Sequence, residues 1–190
     1  MREVRHGTGK VAISLRLFAR GREFTLDPAL TFGGYDRRMG KQRVLFVCTH
    51  NSARSHMAEA MLRAWGGDKF EVFSAGTEAT GVKPETIQVM EEIGISLDGH
   101  RSKTIDEFRG QAFDWFITVC DEAQKNCPVL PGAEHVGHWS VEDPSLAAGT
   151  PDERLVVFRQ VRDRIRNRLR LFILAAGRED LPAPEAGVLR

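Results

Sequence analysis

The sequence predicts an α/β protein with a four-stranded parallel sheet and flanking helices. Short apolar runs typical of buried strands alternate along the chain with longer amphipathic segments typical of helices. Repeated strand–helix–strand units of this kind form right-handed crossovers and therefore parallel sheets. The chain has 190 residues, of which 42% are hydrophobic and 28% are charged, as in ordinary soluble globular proteins. This length is enough for one domain with a substantial core.

The predicted elements follow one another regularly from residue 43 onwards. Three strands are predicted from segments rich in apolar residues, over residues 43–47, 70–74 and 112–119, and a fourth strand is predicted over residues 135–139. Helices are predicted over residues 55–65 and 84–93, with a short helix near 105–108. A capping box with proline at the first helical position, Thr150-Pro151-Asp152-Glu153, opens a long helix. Its apolar stripe consists of Leu155, Phe158, Val161, Ile165, Leu169 and Phe172.

The charge pattern divides the chain into segments of different character. Residues 1–38 contain eight Lys or Arg and four Asp or Glu, while the whole chain has a formal charge of only +1. These residues are too few to bury much of a core alone. We therefore expect residues 1–38 to be an N-terminal extension that is poorly ordered or not native. The alternative is a small regulatory or targeting arm. The regular domain is then residues 39–176, and residues 177–190 form a C-terminal tail.

Composition narrows the compartment and the class of partner. No apolar run approaches the length of a membrane-spanning helix, and the N-terminus does not resemble a secretory signal. The chain has three cysteines, a small and odd number that argues against a structural disulfide framework. Reactive or buried thiols in a reducing cytoplasm fit better. The near-zero net charge does not indicate nucleic acid, and no membrane partner is expected.

The first strand leads into Cys48, then a short polar loop, then Arg54 and the first helix. The loop therefore ends at a helix N-terminus, where unpaired backbone N–H groups attract an oxyanion. Arg54 adds a planar, permanently charged fork that suits a tetrahedral oxyanion. The same positive field favours the thiolate form of Cys48. The loop thus combines a candidate nucleophile with an anion cradle, although a buried core thiol is an alternative interpretation.

This loop carries a family resemblance. Residues 48–55 and the Met57-Ala58-Glu59 that follows resemble the phosphate-binding loop of low-molecular-weight protein tyrosine phosphatases. They are more similar still to the arsenate reductases that share that fold, and the resemblance covers roughly residues 43–173. It implies that Cys48 attacks arsenate and that Ser55 stabilises the Cys48 thiolate. The substrate-binding residues that it implies are Thr49, His50, Asn51, Ser52, Ala53 and Arg54, and the residues assign no individual role to His50.

Cys120 and Cys127 form a second candidate site, a C-x6-C pair followed by Pro128. Zinc knuckles and thioredoxin-like motifs both use shorter spacings, which leaves a redox pair or two unrelated core thiols. The pair resembles the redox segment of thioredoxin-coupled arsenate reductases. The resemblance implies that Cys120 attacks Cys48 once it carries arsenic, which releases arsenite, and that Cys127 then attacks Cys120. No bound cofactor is expected, only an external thiol reductant, with thioredoxin as the expected one.

Asp143 is the candidate general acid. Proton donation to a leaving oxygen requires a carboxylic acid placed over the oxyanion loop. In the family an Asp-Pro in this region supplies that acid, and Asp143-Pro144 matches it. The alternative is an ordinary Asp-Pro turn.

No metal site is predicted from the sequence. Potassium-binding members of the family surround the loop with Asn, Glu, Ser and Asp. Asn51, Glu59 and Ser74 match three of these, but Lys103 occupies the place of the last carboxylate. An ammonium group there can replace the cation, so we expect no potassium dependence.

Arsenate reduction is therefore the predicted function, and two alternatives stay open. One is a tyrosine phosphatase, in which water hydrolyses a phosphoenzyme on Cys48. The other is a non-catalytic sensor that holds arsenite through its thiols.

Overall fold

The chain forms two compact units, Met1–Gly40 and Lys41–Arg190. The computed structural model describes the backbone at residues 16–19 and 22–25 and all atoms of residues 40–119 and 133–176. In the first unit, β1 (Arg16–Ala19) pairs antiparallel with β2 (Arg22–Thr25). The assignment of residues 1–38 as an extension stays a prediction. Cys120, Cys127 and the tail over 177–190 lie outside the described residues.

The second unit has the predicted parallel sheet. Its strands are β3 (Gln42–Cys48), β4 (Phe70–Gly76), β5 (Phe113–Thr118) and β6 (Ala133–His138), in the spatial order β4-β3-β5-β6. All three pairings are parallel. The helices are α1 (Arg54–Gly66), α2 (Pro84–Glu91) and α3 (Pro151–Ala176). Three short 3-10 helices cover Gly67–Lys69, Ile105–Phe108 and Pro144–Leu146. The predicted fold class is confirmed.

Strand β3 is buried on both faces, which explains its unbroken apolar run. Val44 and Phe46 belong to the larger core, which includes residues of α1 and α3. Leu45 and Val47 point into a smaller core that includes the 3-10 helix at Ile105–Phe108. Side chains alternate across a strand, so Cys48 continues the series of Val44 and Phe46 and lies with the larger core.

Helix α3 covers one face of the sheet through the predicted stripe. All six stripe residues are buried, and the capping box forms as expected at its start. The Thr150 N–H donates to Glu153 Oε2 at 2.7 Å, and the Glu153 N–H donates back to Thr150 Oγ1 at 3.3 Å. Among the described helices, none combines the length and apolarity needed to cross a membrane.

Several loops converge at the carboxyl end of β3, where ligands of parallel sheets normally bind. Cys48 is the last residue of β3 and lies in register with Gly76, the last residue of β4. The Val119 N–H donates to the Val47 carbonyl at 2.8 Å. Val119, the residue before Cys120, therefore lies at the same edge of the sheet as Cys48.

Candidate active site

The loop that follows β3, residues 49–53, is fixed by hydrogen bonds from neighbouring segments to its backbone carbonyls. The carbonyls of residues 48–52 all accept hydrogen bonds from other segments. Their donors are the N–H groups of Thr77 (3.1 Å), Glu78 (2.8 Å), Thr80 (3.3 Å) and Lys83 (3.0 Å) and the hydroxyl of Ser102 (2.6 Å). In a planar trans peptide the C=O and the next N–H point in opposite directions. The N–H groups of residues 49–53 therefore point into the loop, which forms a concave set of donors for an anion.

Gly76 allows the neighbouring segments to come this close to the loop. A Cβ added there would lie 2.6 Å from Asn51 N and 2.7 Å from Thr49 O, and closer still to Glu78 O. All three atoms are backbone, so none can move aside by a rotamer change. The Gly76 N–H also donates to the Lys103 carbonyl at 2.9 Å. A residue with a side chain at this position would displace the anion loop itself.

A chain of hydrogen bonds leads from the loop to the Cys48 sulfur. Cys48 is buried, and its Sγ lies 2.9 Å from Ser55 Oγ. Asn51 Nδ2 donates to Ser55 Oγ at 2.8 Å and to Ser74 Oγ at 3.0 Å. Because the Ser55 oxygen already accepts from Asn51, its own proton is available to the sulfur. The Ser55 hydroxyl is therefore placed to donate a hydrogen bond to the Cys48 sulfur.

Asn51 adopts a backbone conformation that is unusual for a residue with a side chain. Its φ is +44°, the left-handed region that Asn tolerates better than most residues. Its side-chain Oδ1 accepts a hydrogen bond from the Lys103 N–H at 2.7 Å, in addition to the two that its amide donates. The side chain thus holds its own strained backbone in place, and the loop keeps its concave shape.

Arg54 connects the loop to the candidate acid. Its Nη2 donates to Asp143 Oδ2 at 2.7 Å, and its Nη1 donates to the Val141 carbonyl at 3.1 Å. Its Nε is buried and has no hydrogen-bond partner among the described residues. A buried guanidinium N–H without a partner is costly unless a ligand uses it. Asp143 also caps the 3-10 helix at Pro144–Leu146, because its Oδ1 accepts from the Ser145 N–H at 2.9 Å.

His50 lies at the rim of the loop. Its imidazole is 4.0 Å from Asp143 Oδ2 and 3.8 Å from Glu78 Oε2. The structure thus brings Cys48, Arg54, Ser55 and Asp143 together around the loop over 49–53. Cys120 and Cys127, the remaining predicted catalytic residues, lie outside the described residues.

Glu59 stands at the centre of a second group of side chains, behind the loop. Its Oε2 accepts from Ser74 Oγ at 2.5 Å and lies 3.6 Å from Lys103 Nζ. Its Oε1 pairs with Arg63 Nη2 at 2.5 Å. Lys103 thus brings an ammonium group to Glu59, at the place where the resemblance implies a further carboxylate in the potassium-binding members.

Two histidines lie beside Glu59, and sequence reasoning did not single out either one. Burial is the main factor that lowers the pKa of His56, from 6.5 to about 4. Burial also lowers the pKa of His100. The two residues are 44 positions apart in the chain, yet their Nδ1 atoms are 3.3 Å apart. No local motif carries such a contact, so no sequence signal could have identified the pair.

Comparison with known proteins agrees with this geometry. Residues 43–181 match the family described as low molecular weight phosphotyrosine protein phosphatase. An arsenate reductase of Halalkalibacterium halodurans is 42% identical over 134 residues, which cover 70% of this chain and 96% of the relative. An arsenate reductase of Bacillus subtilis is 39% identical over 134 residues, with the same coverage of 70% and 96%.

Solved structures show the same similarity. The structure titled an arsenate reductase in the phosphate binding state has a TM-score of 0.59 and 33% identity, covering 71% of this chain and 98% of that one. A thioredoxin-dependent arsenate reductase of Corynebacterium glutamicum has a TM-score of 0.53 and 26% identity, covering 78% of this chain and 76% of that one.

Proposed function

Because this chain belongs to the low molecular weight phosphotyrosine protein phosphatase family, and its relatives at about 40% identity are named arsenate reductases, we propose that it reduces arsenate to arsenite. One observation carries the proposal. A buried thiol lies at the base of a loop whose N–H groups point inward, and the Nε of Arg54 has no hydrogen-bond partner within the part of the chain that the structure describes. This arrangement suits a tetrahedral oxyanion directly above the Cys48 sulfur.

The first step is attack by the Cys48 thiolate on arsenic. Arg54 and the loop amides hold the arsenate and neutralise its charge, while Ser55 donates a hydrogen bond to the sulfur. One arsenate hydroxyl group departs as an As–S bond forms, and it needs one proton to leave as water. We assign the donation of that proton to Asp143. Its carboxyl lies 2.7 Å from the guanidinium that binds the anion, which places it within reach of the departing oxygen.

The second step transfers two electrons to arsenic. The Cys120 thiolate attacks the Cys48 sulfur and forms a disulfide, so the electron pair of the As–S bond passes to arsenic and arsenite leaves. Cys127 then attacks Cys120, which frees Cys48 and leaves a Cys120–Cys127 disulfide. Support for this step comes from Val119, whose N–H donates a hydrogen bond to the Val47 carbonyl at the same edge of the sheet as Cys48.

An external dithiol must reduce the final disulfide, and we propose thioredoxin as that partner. Support comes from the C-x6-C pair and from the similarity to a reductase whose title names thioredoxin dependence. A cycle that needs its thiols reduced again after every turnover also fits a reducing compartment, the cytoplasm.

The test is arsenate turnover by the purified full-length protein. Thioredoxin with its reductase is compared with glutaredoxin plus glutathione, and consumption of NADPH is the readout. We expect multiple turnovers with thioredoxin and little activity with glutathione. Absence of arsenite formation with every dithiol or thiol reductant would exclude the proposed function.

A single substitution separates the reductase from the two alternatives. Cys127→Ser should stop multiple turnovers of arsenate but still allow one arsenite per enzyme. A tyrosine phosphatase would keep its full hydrolysis of an aryl phosphate in this variant. A sensor would bind arsenite more weakly and would show no turnover before or after the change. Cys48→Ser is the control that should abolish both activities.

A further inference from the structure

The cluster behind the anion loop contains three side chains that can bind a metal ion. His56 Nδ1, His100 Nδ1 and Glu59 Oε2 form a triangle with sides of 3.3, 3.7 and 3.8 Å. Ligand atoms about 2.0–2.2 Å from a tetrahedral zinc ion are themselves roughly 3.3–3.6 Å apart. The triangle thus has close to the size that three zinc ligands require, without a large movement of any side chain.

We propose that His56, Glu59 and His100 form a binding site for a divalent transition metal of the zinc type. Two imidazoles and one carboxylate are the donor set that such ions prefer, whereas potassium prefers oxygen atoms alone. The site therefore differs from the family's potassium site, of which it shares only Glu59. It does not depend on the proposed arsenate chemistry.

The proposed metal site is shielded from bulk water and is also reached by a cavity. His56 is fully buried and Glu59 is 3% exposed, so the ligand atoms are shielded from bulk water. Shielding favours the neutral imidazole that ligates a metal. Glu59 and His100 also line a cavity of about 440 Å³. The cavity offers an entry path and room for water as a fourth ligand.

Two neighbouring cationic side chains affect how strongly the site can bind a metal ion. Arg63 Nη1 lies 3.3 Å from His100 Nε2, and Lys103 Nζ lies 3.6 Å from Glu59 Oε2. With a metal on Nδ1, each neutral imidazole carries its hydrogen on Nε2. The Nε2 of His100 can then no longer accept a hydrogen bond from Arg63, so the Arg63 guanidinium must turn away from His100 while it keeps its ion pair with Glu59. The ammonium of Lys103 repels a divalent ion, so removal of its charge should strengthen binding.

The experiment is isothermal titration of Zn²⁺ into the full-length protein. Because thiolates also bind zinc, the titration uses a background in which Cys48, Cys120 and Cys127 are replaced by serine. We expect one zinc ion per chain. His56→Gln and His100→Gln should each lower the affinity by about 100-fold or more, since loss of a direct ligand costs no less than loss of a supporting contact. His135→Gln is the matched control and should leave the affinity unchanged, because His135 lies on β6, where its ring packs against Trp115 of β5.

Two further measurements complete the test. Lys103→Met should raise the zinc affinity at least about tenfold. Co²⁺ added to the protein with its cysteines intact should give a tetrahedral visible spectrum that His56→Gln removes, whatever thiolate bands are also present. If zinc affinity is the same in the His56→Gln, His100→Gln and His135→Gln variants, or if Lys103→Met binds no zinc, the proposed site does not exist.

Discussion

Substitution of Gly76 by alanine tests whether the anion loop depends on one close backbone approach. The new Cβ would lie 2.6 Å from Asn51 N, whereas ordinary contacts begin near 3.4 Å. The loop would therefore have to move by about 0.8 Å, the difference between these two distances. Asn51 N–H is one of the donors that point into the loop, so its displacement changes the anion site directly. The same Cβ would also press on the Thr49 carbonyl, which accepts the Glu78 N–H.

A displacement of about 1 Å at a reacting centre can cost about 100-fold in rate. We therefore expect Gly76→Ala to lower kcat/KM for arsenate by about two orders of magnitude. Overpacking at this point should also lower the free energy of unfolding by about 1–3 kcal/mol. The assays are steady-state arsenate reduction with thioredoxin, calorimetric binding of inorganic phosphate, and urea unfolding. Kinetics are measured well below the unfolding midpoint, so that only folded protein contributes.

Gly137→Ala is the matched control, because it makes the same change in the same sheet. Among the described residues, a Cβ at Gly137 would meet only Ile117 Cγ1, at an ordinary 3.7 Å. Its activity should stay within about twofold of the unchanged protein. Equal activity and equal phosphate affinity in the two variants would refute the reasoning, because the loop would then tolerate the shift that the structure excludes.

Four further predictions concern the surrounding groups. Asn51→Ala should lower kcat/KM at least about tenfold. Compared with Asn51→Ala, Asn51→Gly should recover about 1 kcal/mol of unfolding free energy, because glycine adopts a φ of +44° without strain. It should not restore activity. Asp143→Asn should slow single-turnover arsenate reduction by about 100-fold or more, while Glu142→Gln, an exposed neighbour, should not. The fold disfavours the protonated form of His56, because burial lowers its pKa from 6.5 to about 4. The stability that neutral His56 contributes is therefore fully present above pH 6.5 and is lost as the pH falls towards 4. Urea titrations should show a loss of up to about 3 kcal/mol over that range and a flatter profile for His56→Gln. Arsenate turnover should be equal in sodium and potassium salts, because Lys103 already faces Glu59, and a large gain in potassium would contradict this.

The parts of the fold that depend on local periodicity were predictable from the sequence. Strands β3, β4 and β5 follow from segments rich in apolar residues. The stripe of α3 follows from its helical spacing, because burial of one helix face selects apolar residues at a fixed period. The ends of the elements were less certain. Strand β6 begins at Ala133, whereas its prediction began at residue 135, and α2 ends at Glu91 rather than at residue 93. Element ends depend on hydrogen bonds to neighbouring segments, which periodicity does not encode.

The sequence by itself also determined the chemistry of the anion loop. A thiol after a buried strand, an arginine and a helix start lie within eight residues, so their proximity is a property of the local chain. Only the tertiary structure brought Arg54 to Asp143, 89 positions away, and His56 to His100. It also turned the loop carbonyls outward, through donors on the segment after β4. Such contacts depend on how separate elements pack at the edge of the sheet, and packing geometry is set by the whole core rather than by any local pattern.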